Sequence, residues 1–377
     1  MIRDEVQELA EQNEKKLRFG IVGCGAIGPT HAGAIQQIAG AELVAVADTR
    51  RERAQEVATK FGIAKVYDSE RALIDDPDID IVCICTPSGM HADGAVAALE
   101  AGKHVIVEKP MEISLEACDR MIAAEDATGK KLAIISQHRF DAATLLVKEA
   151  IDSGKLGKIV LADATVKWWR TQAYYDSGDW RGTWAVDGGG ALMNQGIHTV
   201  DLLQWLAGGV SSLFAYTRTA SHERIEVEDI ATAVLTFENG AIGTLTATTA
   251  AYEGFPVRID IYGTEGTAVL EGDRLKTLKY KTGEEFHGEA AAAHALSVAS
   301  GGTASVKNEA AVRLESTTAA DPGAVWGDAH RAQIEDFIHA IHTNSKPLID
   351  GRAGKRPVEI ILGVYRSSRS GQPVTIR

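Results

Sequence analysis

The chain has 377 residues, 45% hydrophobic and 24% charged, with 52 Asp and Glu against 39 Lys and Arg for a net charge of −13. That length supports two domains with cores of their own, at the usual ~100–200 residues each. There is no basic stripe to meet nucleic-acid phosphates, and no apolar run approaches the roughly 20 residues that a membrane-spanning helix needs.

Met1–Lys16 is polar and charged. It differs from a signal peptide and reads as a short helix or loose arm. Short apolar runs come after it at Leu17–Val22, Leu43–Ala47, Ile79–Cys85, His104–Val107 and Leu132–Ser136. Helix-like stretches lie among them at Arg50–Phe61, Met90–Ala101 and Leu115–Thr128. Strands buried on both faces read as unbroken apolar runs, so this alternation predicts a parallel, doubly wound sheet. Gly62, Gly102 and Gly129 mark helix stops, and Ser114 is a fitting N-cap.

The first strand–helix junction reads Gly23-Cys24-Gly25-Ala26-Ile27-Gly28, and Asp48 comes after the second apolar run. The acid falls about 20 residues after the last glycine, the spacing of a dinucleotide-binding fold. Gly23 permits the tight turn, Gly25 lets the backbone approach a pyrophosphate, and Gly28 lets helix and strand pack closely. The helix start offers free N–H groups to phosphate. Asp48 can accept from a ribose diol, which points to NAD. Arg50 and Arg51 could meet a 2′-phosphate, so NADP stays open. Cys24, Cys83, Cys85 and Cys118 have no metal-ligand spacing. No metal is expected, and buried free thiols fit a reducing cytoplasm.

Glu108-Lys109-Pro110 stands directly after the fourth apolar run. Ligands of open α/β sheets bind outside the carboxyl ends of the strands, so Lys109 is placed to steady an alkoxide. A solvated lysine before a turn-forming proline explains the same residues equally well.

After about residue 140 the pattern changes. Ile159–Lys167, Leu213–Thr219, Ile230–Phe237, Gly243–Thr249, Val257–Tyr262 and Thr267–Glu271 alternate or are β-branched, and Glu238-Asn239-Gly240 predicts a hairpin turn with positive φ at both central positions. An open, antiparallel sheet is expected, one face on helices and the other free for a partner copy. Trp168-Trp169-Arg170, Tyr174-Tyr175 and Trp180-Arg181 suggest a sugar-binding wall, or else core and interface anchors. Gly188-Gly189-Gly190 opens a helix on which Asn194, His198 and Asp201 share a face. His198 suits proton transfer near neutrality, and Asp201 could orient its ring. A buried structural histidine is the competing explanation. Glu289–Pro322 is rich in Ala, Ser, Thr and Gly and reads as a loop or arm. Helices over Ala329–His342 and Arg356–Ser370 and a strand over Val374–Ile376 complete the chain.

Gly23–Gly28, Thr86-Pro87 with His91, Glu108-Lys109-Pro110, Gly188–Asp201 and Glu228-Asp229 together resemble the glucose–fructose oxidoreductase/inositol dehydrogenase (Gfo/Idh/MocA) family over nearly the whole chain. The resemblance implies an N-terminal Rossmann domain over 1–140. It implies a C-terminal α/β domain over 141–377 with a large open sheet, whose final segment could pack back on the first domain. It also implies an NAD(P)-dependent oxidoreductase acting on small sugars or polyols, as a homo-oligomer (dimer or tetramer) assembled through the sheet. By the same resemblance, Lys109 contacts the reacting hydroxyl and His198 is the acid/base residue. Asn194 stands where many relatives carry Asp; it cannot take a proton and binds a hydroxyl instead, as in some sugar-nucleotide and keto-sugar members. Gly23, Gly25, Ala26, Ile27, Gly28, Asp48, Thr86, Pro87, His91, Glu108, Lys109, Gln137, Trp180 and Arg181 line the cofactor. Arg170, Tyr174, Lys109, Asn194 and His198 meet the substrate. The alternatives are a keto-sugar or nucleotide-sugar oxidoreductase, an enzyme that recycles tightly held NAD(P), and a non-enzymatic NAD sensor.

Overall fold

The computed structural model describes residues 16–286 and 327–376. The arm expected over Met1–Lys16 (Lys16 itself apart) and the loop expected over Glu289–Pro322 lie outside the described residues. The described residues fall into two compact units. One lies within Met1–Ile135 and Trp326–Lys355, the other within Ser136–Val325 and Arg356–Arg377. The helix Gly327–His342 thus groups with the first unit, whereas 356–377 groups with the second.

In the first unit, β1 (Leu17–Val22), β2 (Ala41–Ala47), β3 (Lys65–Tyr67), β4 (Ile81–Ile84), β5 (His104–Val107) and β6 (Leu132–Ile134) form one parallel sheet in the order β3-β2-β1-β4-β5-β6. This is the doubly wound order whose two halves diverge on either side of β1, leaving a crevice at the carboxyl ends. The core runs through Phe19, Ile21, Ile35 and Ile106, and the returning helix Gly327–His342 adds Ile334, Phe337 and Ile338 to it. Complete burial of such side chains stabilises a fold by about 1.5–3 kcal/mol each. Gly62 and Gly129 close their helices in the left-handed region, and Ser114 Oγ accepts from the Ala117 N–H at 3.2 Å.

In the second unit, β7 (Ile159–Lys167), β8 (Val210–Arg218), β9 (Ile230–Phe237), β10 (Ile242–Thr248), β11 (Arg258–Gly263), β12 (Gly266–Glu271), β13 (Arg274–Tyr280), β14 (Glu285–Phe286) and β15 (Val374–Thr375) form a sheet ordered β14-β13-β12-β11-β7-β10-β9-β8-β15. It is mostly antiparallel, but β7 and β10 run parallel, which alternation within single strands could not indicate. The β9–β10 turn also departs from expectation. Only Gly240 has positive φ, and Asn239 instead accepts from the Ala241 N–H through its side chain at 3.0 Å. The loop is therefore one residue longer than a two-residue hairpin, with glycine in its left-handed position. Along β9, exposed and buried residues alternate strictly, so one face of the sheet is open.

Candidate functional site

Within the first unit, the turns after β1, β2, β4 and β5 gather at the carboxyl edge of the sheet. Gly23 has φ +95°, and a side chain there would strike the Cys85 carbonyl. A side chain at Gly28 would strike the Gly23 carbonyl, whereas one at Gly25 would meet open space. The turn is therefore closed on the strand side and open outward, where a pyrophosphate can approach. A depression of ≈340 Å³ lies beside it, lined by Cys24, Gly25, Ala26, Pro29, Arg53, Glu56, Val57 and Lys60. Asp48 is fixed at its rim: Oδ2 accepts the Cys24 N–H at 2.9 Å and Oδ1 the Arg50 N–H at 2.8 Å. Each oxygen keeps a lone pair for a diol. Arg51 pairs with Asp68 at 3.1 Å on the surface.

His91 and Glu108 lie behind these turns. His91 is buried, with Nδ1 2.8 Å from the Pro110 carbonyl and Nε2 2.8 Å from the Thr86 carbonyl, and burial lowers its pKa. It ties the Thr86-Pro87 turn to the Glu108-Lys109-Pro110 turn. Glu108, also buried, faces His31 Nε2 at 2.7 Å and His330 Nε2 at 3.5 Å, and accepts the Lys109 N–H at 3.1 Å. Burial alone would raise its pKa, but His31 and His330 hold it well below the ordinary carboxylate value. Burial likewise disfavours charge on His31, yet Cys85, Cys83 and Glu108 raise it well above the usual imidazole range. A buried ion pair thus sits directly beneath Lys109. No local pattern announces it, because its members lie 77 and 222 residues apart.

Within the second unit, the three glycines carry the chain past a crowded point. A side chain at Gly190 would fall on the Glu228 carbonyl. The Glu228 carboxyl then accepts the Gly190 N–H at 3.0 Å, the Leu192 N–H at 2.8 Å and the Tyr365 hydroxyl at 3.0 Å. Burial pushes this carboxyl up to about 7, against the pull of those donors. Its neighbour Asp229 accepts N–H bonds from Ala220, Ser221 and His222; burial would raise it, but His222 and these donors hold it at about 2.

Beyond the glycines the chain makes a single π-helical turn, Ala191–Gly196, and enters the α-helix Ile197–Ala207. Such wide turns occur often at functional sites. Asn194 Nδ2 donates to Asp187 Oδ1 at 2.6 Å, and its Oδ1 accepts from Gln195 Nε2 at 2.7 Å. Gln195 also donates to the Tyr174 hydroxyl at 2.9 Å and accepts from Arg170 Nε at 3.0 Å, while Arg181 donates to the same hydroxyl at 2.8 Å. The Arg181 guanidinium stacks over both Tyr174 and Trp180 at 4.5 Å. Arg170, Tyr174, Trp180, Arg181 and Asn194 are thus brought together as one network. Asp187 and Gln195 join it, and neither carried a sequence signal beyond its neighbours. Asp201 does not orient His198. Its carboxylate takes both Nε and Nη2 of Arg139 in a buried pair, Nε at 2.7 Å, so the helical spacing pointed to the wrong partner.

Buried polar atoms that lack a hydrogen-bond partner include Thr86 Oγ1 in the first unit, and Gln137 Oε1 and Trp168 Nε1 in the second. A buried polar group left so costs about 1–3 kcal/mol, which a ligand can offset. In the first unit, the outward-open Gly25, the anchored Asp48 and the orphaned Thr86 hydroxyl fit a dinucleotide.

Two family models match the chain: an oxidoreductase family with an NAD-binding Rossmann fold over residues 17–136, and the GFO/IDH/MocA C-terminal domain over residues 144–269. The chain is 30% identical over 266 residues to the myo-inositol 2-dehydrogenase of Thermotoga maritima, covering 70% of this chain and 77% of that protein. It is 30% identical over 297 residues to the levoglucosan dehydrogenase of Pseudarthrobacter phenanthrenivorans, covering 70% and 76%. The WlbA dehydrogenase of Bordetella pertussis, solved with NADH and UDP-GlcNAcA, is similar at TM-score 0.80 and 34% identity over 96% of this chain and 99% of that one.

Proposed function

The chain belongs to the Gfo/Idh/MocA family of NAD-binding oxidoreductases, and on that premise we propose that it oxidises a ring hydroxyl of a cyclic polyol or sugar to a ketone. The observation that carries this reading is the network at the turn just before the helix of His198, in which Asn194 is backed by Asp187, Gln195, Arg170 and Tyr174, which already satisfy one another. NAD, when bound, supplies the ring that accepts the hydride; Gly23–Gly28, Asp48, Thr86 and Gln137 would hold it. Lys109 binds the reacting hydroxyl and stabilises its oxygen as the proton leaves. His198 takes that proton. Asn194 holds a hydroxyl, and Trp168, Tyr174 and Trp180 offer ring faces to the sugar.

A second reading has the sugar carried on a nucleoside diphosphate. It is favoured by the 34% identity to WlbA over almost the entire chain, against 30% over 70% of it for the inositol enzyme. One experiment separates the two: initial rates of NAD and NADP reduction across inositols, hexoses, glycosides, sugar acids and UDP-sugars. A strong hit among the free sugars or cyclitols supports the first reading, and one confined to UDP-sugars the second. Silence from a protein that arrives carrying nicotinamide would favour cofactor recycling.

Asp48→Ala is expected to weaken NADH binding about 10-fold or more, the worth of a hydrogen bond to a charged group, and to narrow the gap to NADPH. Fluorescence titration with each reduced cofactor reads this directly. An unchanged ratio would mean that Asp48 does not reach the ribose.

The open face of the second sheet, with Tyr216 60%, Val234 59% and Ile242 57% exposed, is proposed to join copies of the chain into a dimer or tetramer. Val234→Asp should lower the sedimenting mass while leaving the circular dichroism spectrum intact. A wild-type protein that sediments as a monomer would refute the assembly. No helix among the described residues is long and apolar enough to cross a membrane, and four buried free cysteines fit a reducing cytoplasm.

A further inference from the structure

The turn Gln137–Phe140 carries two side chains that the reaction above does not use. Arg139 neutralises Asp201 on the helix that bears His198. His138 stands edge-to-face with His198 itself, ring centroids 5.1 Å apart and planes at 84°. From its other side, His138 Nδ1 lies 2.7 Å from Asp141 Oδ2 and 3.6 Å from Asp273 Oδ1, the latter reaching in from the β12–β13 turn.

We propose that His138 is a positioning residue for His198: braced by Asp141 and Asp273, it stands as a cation against the neighbouring ring and keeps that ring in its neutral, proton-accepting form. The inference rests on reading His198 as the proton acceptor of the reaction. Burial works against charge on His138, but Asp141 first, then Asp273 and Asp201, push its pKa up to about 9. It therefore carries its proton through the neutral range. Of the other charges around the pair, Asp201 is answered by Arg139, and Asp273 lies beside Arg274. A cation in ring contact within partly buried surroundings disfavours a second proton next to it. The arrangement makes His198 a better acceptor at low pH than a lone imidazole would be.

The test is an NMR titration of the full-length protein labelled at histidine Cε1, with the His198 signal assigned by its loss in His198→Asn. His138→Asn keeps a donor for Asp141 but cannot be charged. It leaves Asp141 and Asp273 unanswered and should raise the His198 midpoint by about one pH unit, a tenfold change in protonation at fixed pH. Asp141→Asn releases His138 from its anion, so that cation and anion disappear together; the His198 midpoint should then move by much less. An unmoved His198 in His138→Asn, or equal shifts in both variants, overturns the proposal and leaves His138 a mere brace. Should His138→Asn not fold, the wild-type titration decides: His138 must titrate well above an ordinary imidazole, and a midpoint near 6.5 sinks the idea. Failure of the underlying reading shows separately, as turnover retained by His198→Asn.

Discussion

Lys109→Met is expected to lower kcat by about 10²–10³-fold, the usual effect of removing one preorganised charge from a developing oxyanion, while NADH affinity stays within a few-fold. Methionine matches the length and flexibility of the lysine stem, so packing around it survives and the charge alone is lost. The backbone at this position is unusually well held. Glu108, one residue earlier, accepts the Lys109 N–H and is itself gripped by His31 at 2.7 Å inside the core. His91 fixes the Pro110 carbonyl on the other side at 2.8 Å. A side chain presented from so rigid a support is suited to electrostatic stabilisation, which depends on the charge being in place before the reaction begins. Initial rates with the best substrate of the panel, beside fluorescence titration with NADH, separate the two effects. Turnover that survives the substitution would return Lys109 to the alternative reading, a solvated lysine before a proline. A loss of NADH affinity equal to the loss of rate would make it a cofactor contact only.

The strands of the first unit were legible because parallel strands covered on both faces must be apolar throughout. Ile81–Ile84 and His104–Val107 fall inside or on the predicted runs for that reason. Lys65–Tyr67 was not legible: it is a three-residue strand at the end of the sheet, with every residue half-buried. In the second unit, Arg274–Tyr280 escaped because charged residues occupy its outer face, Arg274, Lys276 and Lys279. The glycine turn and Asp48 could be read because their chemistry is local, a few atoms of backbone shaped by residues next in line. The pairs His31–Glu108, Arg139–Asp201 and Glu228–Tyr365 could not, since each joins positions 62 or more residues apart. Asp201 shows the cost most plainly. Its spacing from His198 suggested a partner, and the fold gave its carboxylate to an arginine from another segment. Helical periodicity places a side chain on a face; only the tertiary fold decides what it meets there.

His198→Asn is expected to lower kcat/KM for oxidation by about 10²–10⁴-fold, the range for loss of a positioned general base, and to change the shape of its pH dependence. On the proposed role of His198, oxidation by the wild type needs the neutral imidazole. The rate should therefore be full above the His198 midpoint and fall as pH drops through it; ketone reduction, which needs the protonated ring, should fall as pH rises through it. Neither limb can persist in the variant, because an amide does not titrate in this range. What remains should climb with hydroxide as solvent takes over the proton. Asn194 cannot substitute: it is an amide whose Nδ2 is drawn to Asp187 at 2.6 Å and whose Oδ1 is held by Gln195 at 2.7 Å. Asp187, the nearest carboxylate in that network, is buried, accepts the Gly182 N–H at 2.8 Å as well, and serves to hold the amide in place. If the acid limb of oxidation survives in His198→Asn, a different group carries the proton, and Asp187 becomes the residue to replace next. If the limb vanishes while NADH still binds, the proton acceptor is His198, and the asparagine at position 194 is explained as a hydroxyl ligand that needs no proton of its own.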